Sequence, residues 1–161
     1  MRFALILLAF LSLAFCLFEV LFEQVPALDI MDRSGCLIAK LPIRNGLFTH
    51  HYIHSIHKTP VDEEFRIEGD FLELYQVKYE SYGVGMPTDA GDGFRLENGR
   101  FVLDMHREFK QIDIRVSFIP GHGIIYDGVF HPFTEWVPIE KTVRLQPDTA
   151  FIYRFRRMAH P

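Results

Sequence analysis

Cysteine is scarce in this sequence, tryptophan scarcer still, and positive charge is not in excess: two Cys, one Trp, and 17 Lys and Arg against 21 Asp and Glu. Two cysteines make no disulfide framework, least of all when Cys16 lies inside an apolar run and Cys36 outside it. Cys36 then reads as a small buried residue. A net charge of −4 lacks the basic stripe that phosphate contacts demand, so no nucleic-acid partner is expected. The one basic cluster, Arg154, Arg156 and Arg157, reads as a solvated strand edge or tail. There is no second long apolar run, which excludes a polytopic membrane protein, and 161 residues exclude a multidomain enzyme.

The first segment is different. Of the twenty residues from Phe3 to Phe22, all but Ser12 and Glu19 are apolar. Without them the apolar share falls from 48% to about 43%, ordinary for a small globular domain. Residues 1–25 are therefore set apart from a domain at 26–161. Twenty residues at about 1.5 Å each cover about 30 Å, the thickness of a bilayer's hydrocarbon core. A signal peptide has a shorter core and a small-x-small cleavage site, but Phe15, Phe18 and Phe22 are bulky where small residues are needed. Leu13-Ala14-Phe15-Cys16 departs from a lipoprotein box in the same way, at Phe15. A retained signal anchor through residues 3–22 fits best, ahead of cleaved export. Arg2 is the only charge before the segment and favours an inside N-terminus. The expected location is the cell (inner) membrane, single pass, with the domain on the periplasmic or extracytoplasmic side.

After Pro26 the pattern becomes short apolar or alternating runs between turn signals. Ala27–Met31 and Cys36–Leu41 flank Asp32-Arg33-Ser34-Gly35 as a hairpin. Phe48–Ile56, Glu64–Ile67 and Phe71–Tyr79 are strand candidates, and Tyr82–Gly93 is a glycine-rich loop. Phe94–Leu96 and Phe101–Met105 flank Asn98-Gly99, the clearest hairpin signal in the chain. Gln111–Phe118 alternates, with Ile112, Ile114, Val116 and Phe118 on one face. Pro120-Gly121-His122-Gly123 reads as a turn. Lys141–Leu145 and Phe151–Phe155 read as two strands separated at Pro147-Asp148. About nine strands at this spacing predict an all-β fold, a single antiparallel β-sandwich or small barrel, preceded by an N-terminal apolar helix.

Four histidines crowd one window: His50, His51, His54 and His57. A strand splits them between its faces and puts residues 50 and 54 about 13–14 Å apart, too far for one ion. One hydrogen-bonded core histidine with surface histidines around it is the plain reading, and no metal or other cofactor is expected. His54-Ser55 is not a hydrolase pair, because adjacent strand residues face opposite ways, and no Gly-x-Ser-x-Gly elbow is present. Gly83-Val84-Gly85-Met86-Pro87 lacks the third glycine and the helix of a dinucleotide fingerprint. Asp89-Ala90-Gly91-Asp92-Gly93 lacks the register and closing Glu of a calcium loop. No catalytic residue is assigned.

Two segments in order carry a resemblance. His54-Ser55-Ile56-His57-Lys58-Thr59-Pro60-Val61-Asp62-Glu63-Glu64-Phe65 has a His-Ser-x-x-x-x-Pro-x-x-Glu pattern. Tyr79-Glu80-Ser81-Tyr82-Gly83-Val84-Gly85-Met86-Pro87 runs an aromatic strand into a Gly-x-Gly-x-Pro loop. Together they resemble the domain-of-unknown-function family 1850 over roughly residues 29–115. The stretch after Pro120 carries no motif. The resemblance implies a small protein associated with TRAP transporters of the TAXI type, secondary carriers that use a periplasmic solute-binding protein. It implies no catalytic residues. His54, Ser55, Pro60, Glu63 or Glu64, Tyr82, Gly83, Gly85 and Pro87 match the motifs and are the candidate partner-binding positions. Both motifs sit at strand ends: the plain reading is that their residues lock a turn and its neighbouring strand, and the functional one is that they meet at one end of the domain, where His54 and a glutamate would hydrogen-bond. The function implied is a non-enzymatic, membrane-anchored accessory protein contacting the transporter's permease or solute-binding protein. The alternative is an extracytoplasmic ligand- or metal-binding sensor domain.

Overall fold

The computed structural model describes residues 2–81 and 93–154. An α-helix, α1 (Arg2–Leu21), passes without a linker into β1 (Phe22–Asp32). The strands that follow are β2 (Leu37–Pro42), β3 (Leu47–Ile53), β4 (Pro60–Glu68), β5 (Phe71–Tyr79), β6 (Phe94–Glu97) and β7 (Arg100–Phe109). Then come β8 (Ile112–Arg115), β9 (Gly123–Tyr126), β10 (Val129–Pro132), a single 3-10 turn at Phe133–Glu135, and β11 (Thr142–Tyr153).

All pairings are antiparallel and form two sheets, ordered β2-β1-β11-β8 and β10-β9-β3-β4-β5-β7-β6. One core lies between them. Leu28 and Ile30 of β1, Ile114 of β8, and Val143 and Leu145 of β11 meet Phe48, Val61, Phe65, Leu72, Leu74 and Val77 of the larger sheet. Phe48 and Phe65 sit opposite each other on β3 and β4 and stack at 5.2 Å, a cross-strand aromatic pair. The expectation of an all-β two-layer domain behind an apolar helix holds, with eleven strands among the described residues rather than about nine.

The differences have local causes. Residues 142–153 form one strand, not two, and it runs through Pro147. β8 covers β11 only at Thr142–Leu145, so past Leu145 one edge of β11 has no strand partner among the described residues, and a residue without an N–H interrupts no ladder there. The Gln111–Phe118 run is a strand only to Arg115. Val116 stays buried, held by backbone bonds with Lys141 and Glu140, but Phe118 is exposed. β3 stops at Ile53, before His54, because the chain turns there. Cys36 is exposed rather than buried, and both thiols are free.

Helix α1 carries no basic residue in its last turn. Its C-terminal carbonyls are met from the far end of the chain instead. The Arg154 backbone N–H donates to Leu21 O at 2.8 Å, and its guanidinium donates to Glu19 O at 3.1 Å and Phe22 O at 3.3 Å. This satisfies groups a helix end leaves open and sets a cation at the negative end of its dipole. Phe3–Leu21 is long and apolar enough to cross a membrane, a description that a signal anchor and a signal sequence both meet.

Candidate functional site

The middle of the larger sheet places polar groups in the core. His50 stands directly opposite Glu63 across the β3–β4 ladder, and His51 opposite Asp62. Strand alternation sends the two pairs to opposite faces. On the inner face, His50 Nδ1 lies 2.8 Å from Glu63 Oε2 and its Nε2 lies 3.0 Å from Nε2 of His122. His50 and His122 are both buried. The Ser117 backbone N–H donates to His122 Nδ1 at 2.8 Å.

One proton arrangement satisfies this chain. A backbone N–H can only donate, so His122 Nδ1 carries a lone pair and the proton sits on Nε2. That proton is donated to His50 Nε2, leaving His50 to donate Nδ1–H to the Glu63 carboxylate. Every ring nitrogen is used. Burial, then electrostatic opposition from the neighbouring His50 to a second proton, hold His122 at about 4, below its ordinary 6.5, against the opposing pull of Glu63. Burial and the Glu63 charge together raise the Tyr52 phenol. Phe133, fully buried, closes the group with its ring 5.8 Å from His50 and 5.0 Å from His122.

His122 reaches this position from between two glycines. Gly121 has φ +87°, and a Cβ on Gly123 would fall 2.2 Å from the His131 carbonyl oxygen and 2.8 Å from Pro132 Cα. Only glycine allows β9 to lie that close to β10. The sequence marks these residues as a turn and nothing more, so His122 was beyond its reach. The one available signal was a histidine set between two glycines beside an apolar run.

On the outer face, His51 Nδ1 donates to Asp62 at 2.6 Å, and Arg100 donates to the other oxygen of Asp62 at 2.6 Å and to Lys78 O at 3.1 Å. Burial raises the Asp62 pKa, but the His51 and Arg100 bonds more than offset it and leave the carboxyl below its usual range. Glu64 also faces outward, taking the Tyr75 hydroxyl at 3.0 Å and pairing with Lys78. Burial and Glu64 push the Tyr75 phenol up to about 12. A shallow groove of about 200 Å3 lies here, walled by Thr49, Glu64, Tyr75, Tyr126 and Asp127.

The motif residues divide. His54 does not bond to a glutamate. Its Nδ1 accepts from the backbone N–H groups of Ile56 and His57 at 3.3 Å each, its ring stacks on His57 at 4.8 Å, and its backbone bonds Lys58 and Thr59. It therefore locks the turn between β3 and β4. Ser55 is exposed on that turn, and Pro60 opens β4 opposite Ile53. Glu63 joins the histidine chain while Glu64 lies on the other face, so the two candidate glutamates have different surroundings. The Thr59 hydroxyl donates to Ser81 Oγ at 3.3 Å, which brings the first motif against the start of the second. Tyr82, Gly83, Gly85 and Pro87 lie outside the described residues. Among the described residues no group of three or more His, Cys, Asp or Glu side chains is arranged to hold a metal ion.

The domain of unknown function DUF1850 matches residues 48–133, a little over half the chain. The protein belongs to the DUF1850 family. The match starts at Phe48, just ahead of the first motif, and ends at Phe133, so it takes in the whole Glu63–His50–His122 chain. The segment after Pro120 is thus part of the family's domain as far as Phe133, although it carries no motif. No curated protein and no solved structure matches.

Proposed function

We propose that this DUF1850 protein is a non-enzymatic accessory module, held at the inner membrane by α1 with its β-domain on the extracytoplasmic side, and that it works with a TAXI-type TRAP transporter. The observation that carries the anchored reading is the junction of α1 with β1: the helix ends at Leu21, the strand begins at Phe22, and Arg154 ties the helix end to β11. A segment built into a sheet in this way is better suited to staying than to being cut off. The transporter partner rests on the two-motif resemblance. A structural role for the buried histidines is supported by their closed hydrogen-bond chain, which commits each ring nitrogen to the fold.

The contact surface is placed at the end of the domain where the His54–Thr59 turn meets Ser81. The test is co-purification of the tagged protein with the permease and solute-binding protein, paired with solute uptake in a deletion strain. Tyr82→Ala or Gly85→Asp should lower uptake while the protein still accumulates in folded form. Unchanged uptake on deletion would remove the transporter role.

A further inference from the structure

We infer that the β-domain itself rests on the lipid surface, through an aromatic patch at the free end of the β1–β11 ribbon. β1 and β11 pair without a slip over eleven positions, Phe22↔Tyr153 to Asp32↔Val143. Strand alternation puts Phe22, Gln24, Pro26, Leu28 and Ile30 on one face of β1, with Tyr153, Phe151, Thr149, Pro147 and Leu145 beside them on β11. One end of this face, at Leu28, Ile30 and Leu145, is the buried core. Past an exposed Gln24–Thr149 hydrogen bond, the other end carries aromatic rings that come out into the open: Phe151 is 58% exposed and Tyr153 45%.

The last turn of α1 shares this patch. Phe18 stacks on Phe22 at 5.0 Å and meets Phe151 at 5.3 Å, and Phe22 meets Tyr153 edge-on at 6.0 Å. Two arginines border it. Arg154 caps the helix end, and Arg44 pairs with Glu23 and donates to Tyr153 O at 3.4 Å.

A lipid bilayer is the occupant that fits. No residue separates the membrane-length helix from the strand, so the patch lies within a turn of the point where the helix leaves the hydrocarbon. Aromatic rings edged by arginine suit that depth, with the rings among the upper acyl chains and the guanidinium groups near lipid phosphates. The domain would then have a fixed tilt and height on the membrane. This rests on the anchored reading above.

The test uses the full chain reconstituted in phosphatidylcholine–phosphatidylglycerol vesicles, with and without bromine on the acyl chains. Trp136→Phe removes the native tryptophan, and single tryptophans are then placed by Phe151→Trp, Phe10→Trp or Leu37→Trp. Phe10 reports the span. Leu37 pairs with Met31, nine positions along β1 from Phe22 and so about 30 Å away. Bromolipid should quench residues 10 and 151 at least about twofold and leave residue 37 unchanged. Quenching at 10 but not at 151 overturns the docked domain and leaves the anchor standing. Quenching at neither overturns both. Equal quenching at 37 and 151 also overturns it, since contact would not be confined to the patch.

Discussion

His50 and His122 face each other Nε2 to Nε2 at 3.0 Å, seventy-two residues apart in sequence and buried together. The pair works only while it shares one proton at the contact. Adding a second places two donors nose to nose and a cation in the core.

This sets a pH dependence. His122 takes its proton at about 4 when folded and at its ordinary 6.5 when unfolded, so between those values the unfolded chain binds the extra proton. Stability should be complete above about pH 6.5 and fall as pH drops towards 4. Urea unfolding midpoints across that range will measure it, and His122→Leu should be less stable at pH 7 but flatter below. A wild-type slope no steeper than the variant's would show that other groups set it.

Glu63 and Glu64 are neighbours with unequal roles. Glu63→Ala leaves the His50 Nδ1–H without an acceptor in the core and should cost about 1–3 kcal/mol. Glu63→Gln keeps an acceptor oxygen and should cost less. Glu64→Ala removes contacts on the outer face and should cost about 1 kcal/mol or less. Thermal unfolding of the three variants should give that order.

Gly123 and Gly35 separate crowding from backbone strain. A methyl group on Gly123 meets backbone atoms of β10 that have little room to move, so Gly123→Ala should cost at least about 2 kcal/mol and disturb the His122 contact. Gly35 has φ +86° with nothing within 4 Å, so Gly35→Ala should cost about 1–2 kcal/mol through strain alone. Chemical-denaturation midpoints, with histidine side-chain NMR shifts for the contact, decide both.

Phe133 fills the space behind both histidines and is fully buried. Phe133→Ala should cost about 3–5 kcal/mol. Because the lost packing is next to the Glu63–His50–His122 chain, the variant should also shift the His122 titration upward as water reaches the ring, measurable by NMR.

What the sequence made legible follows from how local each signal is. The β6–β7 hairpin could be read because Asn98 and Gly99 both take positive φ, 50° and 81°, as a two-residue turn requires. The β9–β10 hairpin turns on Asp127 and Gly128 at 49° and 76°, the same chemistry, but its strands are four residues long and end at Pro132, too short to stand out by pattern. Pro147 reads as a break because no sequence pattern reports that β8 stops short of it. The site divides likewise. One core histidine was expected in the window, but strand alternation did not say which of the four it is, and its partner His122 comes from a distant turn; His54 locks the turn rather than bonding a glutamate because the chain has already turned there. Long-range pairing is what a single sequence hides.

The pairing of β1 with β11 has a consequence for the order of assembly. β1 is the strand joined to the helix, yet its longest partner is the latest strand to be made. During synthesis β1 can pair with β2 at once, but its other edge waits while more than a hundred residues emerge. Non-local pairings of this kind are slow to form and leave a strand edge open in the meantime. The sheet joined to α1 is therefore the last to close, and the nascent chain carries an unfinished edge through most of its synthesis.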